Sequence, residues 1–161
     1  MKTCDFLVIG GGVMGVSLAR ELRLRFHGAK VVLIEKEREC GLHASGRNSG
    51  VLHAGFYYSA DSLKAKFTRL GNILLTEYCD FKKLKINKCG KLVVAKDESE
   101  LAYLDELLRR GHKNGVPLQE VSEAEARDIE PRVKTHARAI YSPTTSSVDP
   151  TEVMQALKSD A

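Results

Sequence analysis

The stretch from Phe6 to Gly15, FLVIGGGVMG, constrains this chain more than any other. A short apolar segment, Phe6 to Ile9, leads into glycines spaced G-x-G-x-x-G. Val16, Leu18, Ala19, Leu22 and Phe26 then recur at helical spacing until Gly28 breaks the pattern. Val31 to Ile34 is a continuous apolar run of the kind that a parallel sheet buries on both faces, and it ends in Glu35. Strand, glycine turn, helix, strand, acid is the order of a Rossmann-like unit, so the sequence predicts an α/β fold that binds a dinucleotide.

Each residue type in the turn has a physical reason. Gly10 permits a sharp exit from the strand, Gly12 lets a pyrophosphate approach the backbone, and Gly15 lets the helix pack close to the sheet. Val13 and Met14 stand at the helix mouth, where unpaired amides and the positive end of the macrodipole favour phosphate. Glu35, with Lys36 beside it, lies about 20 residues beyond Gly15, where such folds place an acid on the ribose. An acid there argues against a ribose phosphate, hence against NADP. The fingerprint alone leaves NAD and FAD open.

Composition narrows the class. Of 161 residues, 43% are hydrophobic and 29% charged, as in an ordinary globular chain. Lys and Arg number 25 against 21 Asp and Glu, a net charge of +4. That excess is spread out, and a nucleic-acid partner would need a basic stripe. No apolar run is long enough for a bilayer and no secretory pattern is present, so any membrane contact is peripheral. Cys4, Cys40, Cys79 and Cys89 lack C-x-x-C spacing. They read as reduced thiols of a reducing compartment, with no metal site and a cytoplasmic location, at most peripheral at the inner membrane.

The segment after Glu35 separates the two cofactors. An NAD-type fold continues into a further helix and parallel strand. Here Lys36 to His43 is polar, and SGRNSGVLHAGFYY follows, Ser45 to Tyr58. Clustered small residues let backbone lie against a ligand. Ser45, Arg47, Asn48 and Ser49 can bond phosphate or ribityl oxygens, Gly50 gives close approach, and Val51 and Leu52 can touch a ring. This is a second contact loop, which a cofactor as long as FAD needs.

The stretches VIGGGVMGVSLARELRLR, VVLIEKE, SGRNSGVLHAGFYY, SLKAKF, CGKLVVA and KNGV together resemble the L-2-hydroxyglutarate dehydrogenase/oxidase family. That family belongs to the D-amino-acid-oxidase-like group of FAD-dependent oxidoreductases. The resemblance runs from Asp5 to about Met154 and matches only the N-terminal part of family members. It implies a truncated chain: residues 1–84 as the N-terminal part of an FAD-binding domain, 85–147 as the first part of a mixed-sheet α+β substrate domain, and 148–161 as the start of a helix returning to the FAD domain.

Further along, a helix is expected from Leu63 to about Lys82, with Leu63, Phe67, Leu70, Leu74 and Tyr78 packing in the core. Ile86–Lys88 and Lys91–Ala95 read as two short strands or one bent strand. Asp97–Glu100 and Ser122–Glu125 have the spacing of capping boxes, Asn114-Gly115 that of a helix end, and Ala137–Tyr141 that of a strand. Asp149-Pro150-Thr151-Glu152 opens a last helix. A sheet left short of strands is expected to have an open edge and a tendency to aggregate.

The resemblance implies oxidation of a small 2-hydroxy acid, L-2-hydroxyglutarate to 2-oxoglutarate, with hydride transfer to flavin N5 and electrons passing on to oxygen or a quinone. His53 is the candidate for the base, since its pKa lies near neutrality. A flavin contact, even a covalent one, and a structural hydrogen bond are equally open for it. Tyr57 and Tyr58 are candidates to line the substrate side. The residues that hold the substrate's carboxylates are expected beyond this chain. Alternatives are an amino-acid or amine oxidase of the same group and a catalytically inactive nucleotide-binding fragment, with an NAD-dependent dehydrogenase the weakest.

Overall fold

The computed structural model describes residues 3–161. The chain divides into two compact units. One runs to Gly50 and takes in Lys82–Lys85 and Val148–Ala161; the other comprises Val51–Phe81 and Ile86–Ser147.

In the first unit, β1 (Phe6–Ile9) and β2 (Val31–Ile34) pair in parallel, Phe6 opposite Val31 and Ile9 opposite Ile34. Helix α1 (Val13–Arg25) crosses between them, as a parallel pair requires. Each strand pairs only with the other among the described residues, so both outer edges of this small sheet are open. After Glu35 the chain runs through successive turns with no regular element until Gly50. Helix α5 (Pro150–Asp160) closes the unit and packs against α1. Its start is as the sequence suggested: the Asp149 side chain accepts from the Thr151 and Glu152 amides, and Pro150 takes the first helical position.

The second unit is a mixed α and β arrangement. β3 (Val51–Leu52), β4 (Ile86–Asn87) and β8 (Ser146–Val148) form a three-stranded sheet with β8 in the middle. β5 (Lys91–Val94), β6 (Gln119–Ser122) and β7 (Arg138–Ser142) form another, antiparallel, with β7 central. Ile86 and Lys91 therefore begin two strands of different sheets. The core on one face of β5 gathers Phe56, Ala95, Leu104, Leu107 and Ile140. Leu104 and Leu107 come from α3 (Leu101–Lys113), which follows a 3-10 turn capped by Asp97. The other face meets Val121, Ala126 and Ala139. Ser122 opens α4 (Glu123–Ile129) with a complete capping box, its side chain and that of Glu125 each bonding the other's amide. Gly115, at φ +64, ends α3 in the left-handed conformation expected of Asn114-Gly115.

Helix α2 (Leu63–Lys82) has the expected length but turns a different face inward. Ala65, Asn72 and Cys79, spaced seven apart, are its buried residues. Phe67 and Leu74 are 64% and 63% exposed, and Leu63 and Leu70 also face solvent. Small side chains at 65 and 79 let the helix axis come close to the segment it covers, and the bulky stripe is left outside. Among the described residues no helix is long and apolar enough to cross a membrane.

Candidate functional site

The first unit gathers the glycine turn, Glu35 and the loop after it. Gly12 caps α1 in extended conformation without a side chain, and the first turn of the helix holds no acidic residue. No side chain of that turn offsets the positive end of α1, while the Glu35 carboxylate lies on the Gly11 amide just before it. A Cβ at Gly15 would lie 1.9 Å from the Gly10 carbonyl oxygen, and Gly10 itself has φ +103. These two glycines are required by the tight turn. A Cβ at Gly12 would meet only the Ser45 hydroxyl oxygen, at 3.3 Å. The absence of a side chain there leaves room for a ligand rather than for protein.

Ser45 stands at the mouth itself, its Oγ accepting from the Val13 amide at 2.9 Å. The hydroxyl thereby takes up the first amide of the helix. A hydroxyl that accepts one bond keeps its own hydrogen, so Ser45 can present a donor to an anion in place of that amide. The Met14 side chain, 81% exposed, flanks the opening.

Glu35 turns its carboxylate onto the glycine turn. Oε2 accepts from the Gly11 amide at 2.5 Å and Oε1 from the Glu37 amide at 3.0 Å. The Glu37 amide first, then that of Gly11, holds its pKa below the ordinary 4.5, so it is ionised at neutral pH. A fixed carboxylate at this place can accept ribose hydroxyls and repel a ribose phosphate. Lys36 is exposed, its ammonium 3.9 Å from Glu37. His43 pairs with the same Glu37 carboxylate, Nε2 to Oε1, at 3.1 Å.

The loop from Cys40 to Gly50 is tied to the turn by the Gly41 amide, which donates to the Gly11 carbonyl at 3.0 Å. Asn48 is occupied with the loop's own backbone: Nδ2 donates to the Ala44 and Ser45 carbonyls, and Oδ1 accepts from the Gly50 amide. Its side chain shapes the loop instead of reaching a ligand. Ser49 is exposed, and Gly50, at φ +67, has no room for a Cβ against the Val148 carbonyl. Arg47 lines a cavity of about 260 Å³ whose opposite wall is α5, through Thr151, Met154 and Lys158. Lys158 bonds Glu39 at 2.7 Å, and Met154 packs under Gly41. This docking of α5 on the second loop had no sequence signal beyond the helix itself.

The second unit holds His53, Tyr57 and Tyr58. Val51 and Leu52 pair with Ser147 and Ser146, and Ala54, Gly55 and Phe56 are buried. The carbonyls between are bound by side chains from two helices. Asn72 Nδ2 donates to the carbonyls of Leu52, His53 and Thr144 at 3.0–3.3 Å. Asn114 Nδ2 donates to those of Gly55 and Tyr58, and Arg110 to that of Tyr57. Asn72 and Arg110 did not stand out in the sequence. An Asn in mid-helix was the available signal, since its side chain competes with helical backbone unless it has another use.

His53 keeps an exposed edge, yet packing around the ring first, and the Lys91 ammonium second, push its pKa below the ordinary 6.5. It is neutral at physiological pH and able to accept a proton. Tyr57 stacks on Phe56, ring centroids 4.2 Å apart, and the Lys91 Nζ lies 4.7 Å from the Tyr57 centroid. Lys64 takes a similar place over Tyr58, at 4.4 Å. Among the described residues no cluster of His, Cys, Asp and Glu could hold a metal ion.

Comparison with known proteins agrees with this geometry. The family model described as FAD dependent oxidoreductase matches residues 5–161. L-2-hydroxyglutarate dehydrogenase of Dictyostelium discoideum is 39% identical over 97% of this chain, that of Nematostella vectensis 43% over 97%, and that of Salmonella houtenae 38% over 95%. The chain spans 34–36% of the length of these relatives. Among solved structures, FAD-bound L-alpha-glycerophosphate oxidase from Mycoplasma pneumoniae superposes with a TM-score of 0.86 at 31% identity, covering 98% of this chain and 42% of its own. Glycine oxidase from Geobacillus kaustophilus gives 0.84 at 25% identity, covering 98% and 44%. On these matches, the chain that carries this glycine turn belongs to the FAD dependent oxidoreductase family.

Proposed function

We propose that this chain provides the dinucleotide-binding portion and the first part of the substrate region of an FAD-dependent 2-hydroxy acid dehydrogenase or oxidase acting on L-2-hydroxyglutarate. The observation that carries the reading is the α1 mouth: no acid in the first turn of the helix, no capping side chain at Gly12, only the Ser45 hydroxyl facing that glycine, and Glu35 fixed on the same turn. The L-2-hydroxyglutarate dehydrogenases among its relatives support the choice of substrate. In this reading residues 1–84 serve the cofactor, 85–147 begin the substrate region and 148–161 return to the cofactor side.

The cofactor-binding set is Gly10, Gly12, Val13, Met14, Gly15, Glu35, Lys36, Ser45, Arg47, Asn48, Ser49, Gly50 and Val51. Within it the amides of the α1 mouth and the Ser45 hydroxyl would hold the pyrophosphate and Glu35 the ribose hydroxyls, while Asn48 keeps the loop in shape. When bound, FAD would supply the two-electron acceptor for oxidation of the substrate α carbon. His53, neutral because of its surroundings, takes the proton of the substrate hydroxyl as the carbonyl forms. Tyr57 and Tyr58 line the substrate side.

Protein incubated with FAD and then freed of unbound cofactor should stay yellow, absorbing at ~450 nm, and L-2-hydroxyglutarate should bleach it in the complete enzyme. Re-oxidation by air or by a quinone identifies the electron acceptor. Bleaching by glycine or L-proline with L-2-hydroxyglutarate inert would move the assignment to an amine oxidase. Flavin retention without bleaching by any of them would leave a binding fragment, and no flavin retention would remove the reading.

A further inference from the structure

The second unit carries a cation with no acidic partner among the described residues, placed over the Tyr57 ring. Strand β5 alternates, so Leu92 and Val94 pack with Val121 and Ala139, while Val93 and Ala95 pack with Phe56 and Tyr57. Lys91 is on the Val93 side. Its Nζ ends 4.7 Å from the Tyr57 centroid, and Tyr57 is fixed by Phe56 and by the Arg110 bond to its carbonyl. The same ammonium is close enough to His53 to disfavour a charge there.

Three other cations of this unit are committed, whereas Lys64, over the Tyr58 ring, has no acidic partner among the described residues. Lys88 bonds Asp80 at 2.8 Å, and Lys96 pairs with Glu100 at 3.5 Å. Arg110 Nε bonds Glu106 at 2.6 Å. Lys91 has no acidic partner among the described residues, although it is half-buried. An ammonium held on an aromatic face with no acidic partner is available to an incoming anion. Such a charge fits a carboxylate delivered by a ligand.

We propose that Lys91 is a substrate-recognition residue: its ammonium, braced on Tyr57, binds a carboxylate of the 2-hydroxy acid. This rests on the proposed function for the identity of the substrate and moves one carboxylate contact into this chain. The same charge adds to the packing that disfavours protonation of His53, which couples recognition to the proton-accepting state.

The test uses isotope-labelled protein and glutarate, an unreactive dicarboxylate, with the His53 and Tyr57 ring resonances as reporters. Glutarate should shift both saturably. Lys91→Gln should weaken that binding about tenfold, and Lys91→Arg should keep it. Without glutarate, the His53 titration midpoint should rise in Lys91→Gln and stay low in Lys91→Arg. No glutarate binding, equal binding in wild type and Lys91→Gln, or an unchanged His53 midpoint overturns the assignment. FAD binding, followed separately by quenching of flavin fluorescence, should be the same in all three proteins. Its loss in every one of them would sink the flavoenzyme reading while leaving Lys91-dependent glutarate binding to stand.

Discussion

Glycine at position 15 is dictated by a distance: a methyl group there would sit 1.9 Å from the Gly10 carbonyl oxygen. Gly15→Ala must open the strand-to-helix turn and should destabilise the protein by about 1–3 kcal/mol, read by denaturant unfolding. Gly12→Val has a different signature, because its Cβ would meet only Ser45. Stability should hardly change while FAD affinity falls, and unchanged affinity in a fluorescence titration would contradict the cradle. Glu35 and His53 give the same pH sign in different windows. Glu35 has a lowered carboxylate pKa, so its stabilisation is present above the ordinary 4.5 and is lost as pH falls through the folded value. His53 is also lowered, but as a base. Below its ordinary 6.5 the unfolded chain binds a proton that the folded one refuses, so acidification destabilises the fold there. Glu35→Gln should remove the first effect and His53→Gln the second, in thermal melts across pH 3–7.

At the scale of elements, strands Phe6–Ile9 and Val31–Ile34, helix Leu63–Lys82 and the Ser122 capping box follow directly from local pattern. They rest on periodicity and on side chains that satisfy nearby backbone, which a sequence displays. Ser122→Ala should cost about 1 kcal/mol, the usual worth of such a cap, measured by unfolding. The inward face of α2 was not legible. Hydrophobic spacing selects the apolar stripe, but packing selected Ala65, Asn72 and Cys79, because the segment beneath needs hydrogen-bond donors as well as cover. β3, β6 and β8 were missed for a related reason. They are short, polar or both, and only their partners make them strands. In the candidate site, the glycine turn and Glu35 were readable from spacing. Lys91, Arg110 and Asn72 were not, since each gains its role from residues distant in sequence. Asn72→Ala should leave buried carbonyls without donors and cost about 1–3 kcal/mol.

For the whole molecule, exposed apolar surface is the dominant property. In the first unit Leu7, Ile9, Leu18 and Ile34 are exposed around a sheet with two open edges. In the second, Leu63, Phe67, Leu74 and Phe81 lie open along α2. Open edges and apolar patches promote association. The 161-residue chain alone should elute above its monomer size in size-exclusion chromatography, increasingly so with concentration. A monodisperse monomer at high concentration would contradict this. One side-chain amide offers a direct view of the segment that carries the candidate base. Asn72 has two hydrogens for three carbonyls, those of Leu52, His53 and Thr144, and it is nearly sealed from water. Its NH₂ pair should therefore resist deuterium for longer than any surface amide, and its signal should fade as soon as that stretch of backbone lifts away.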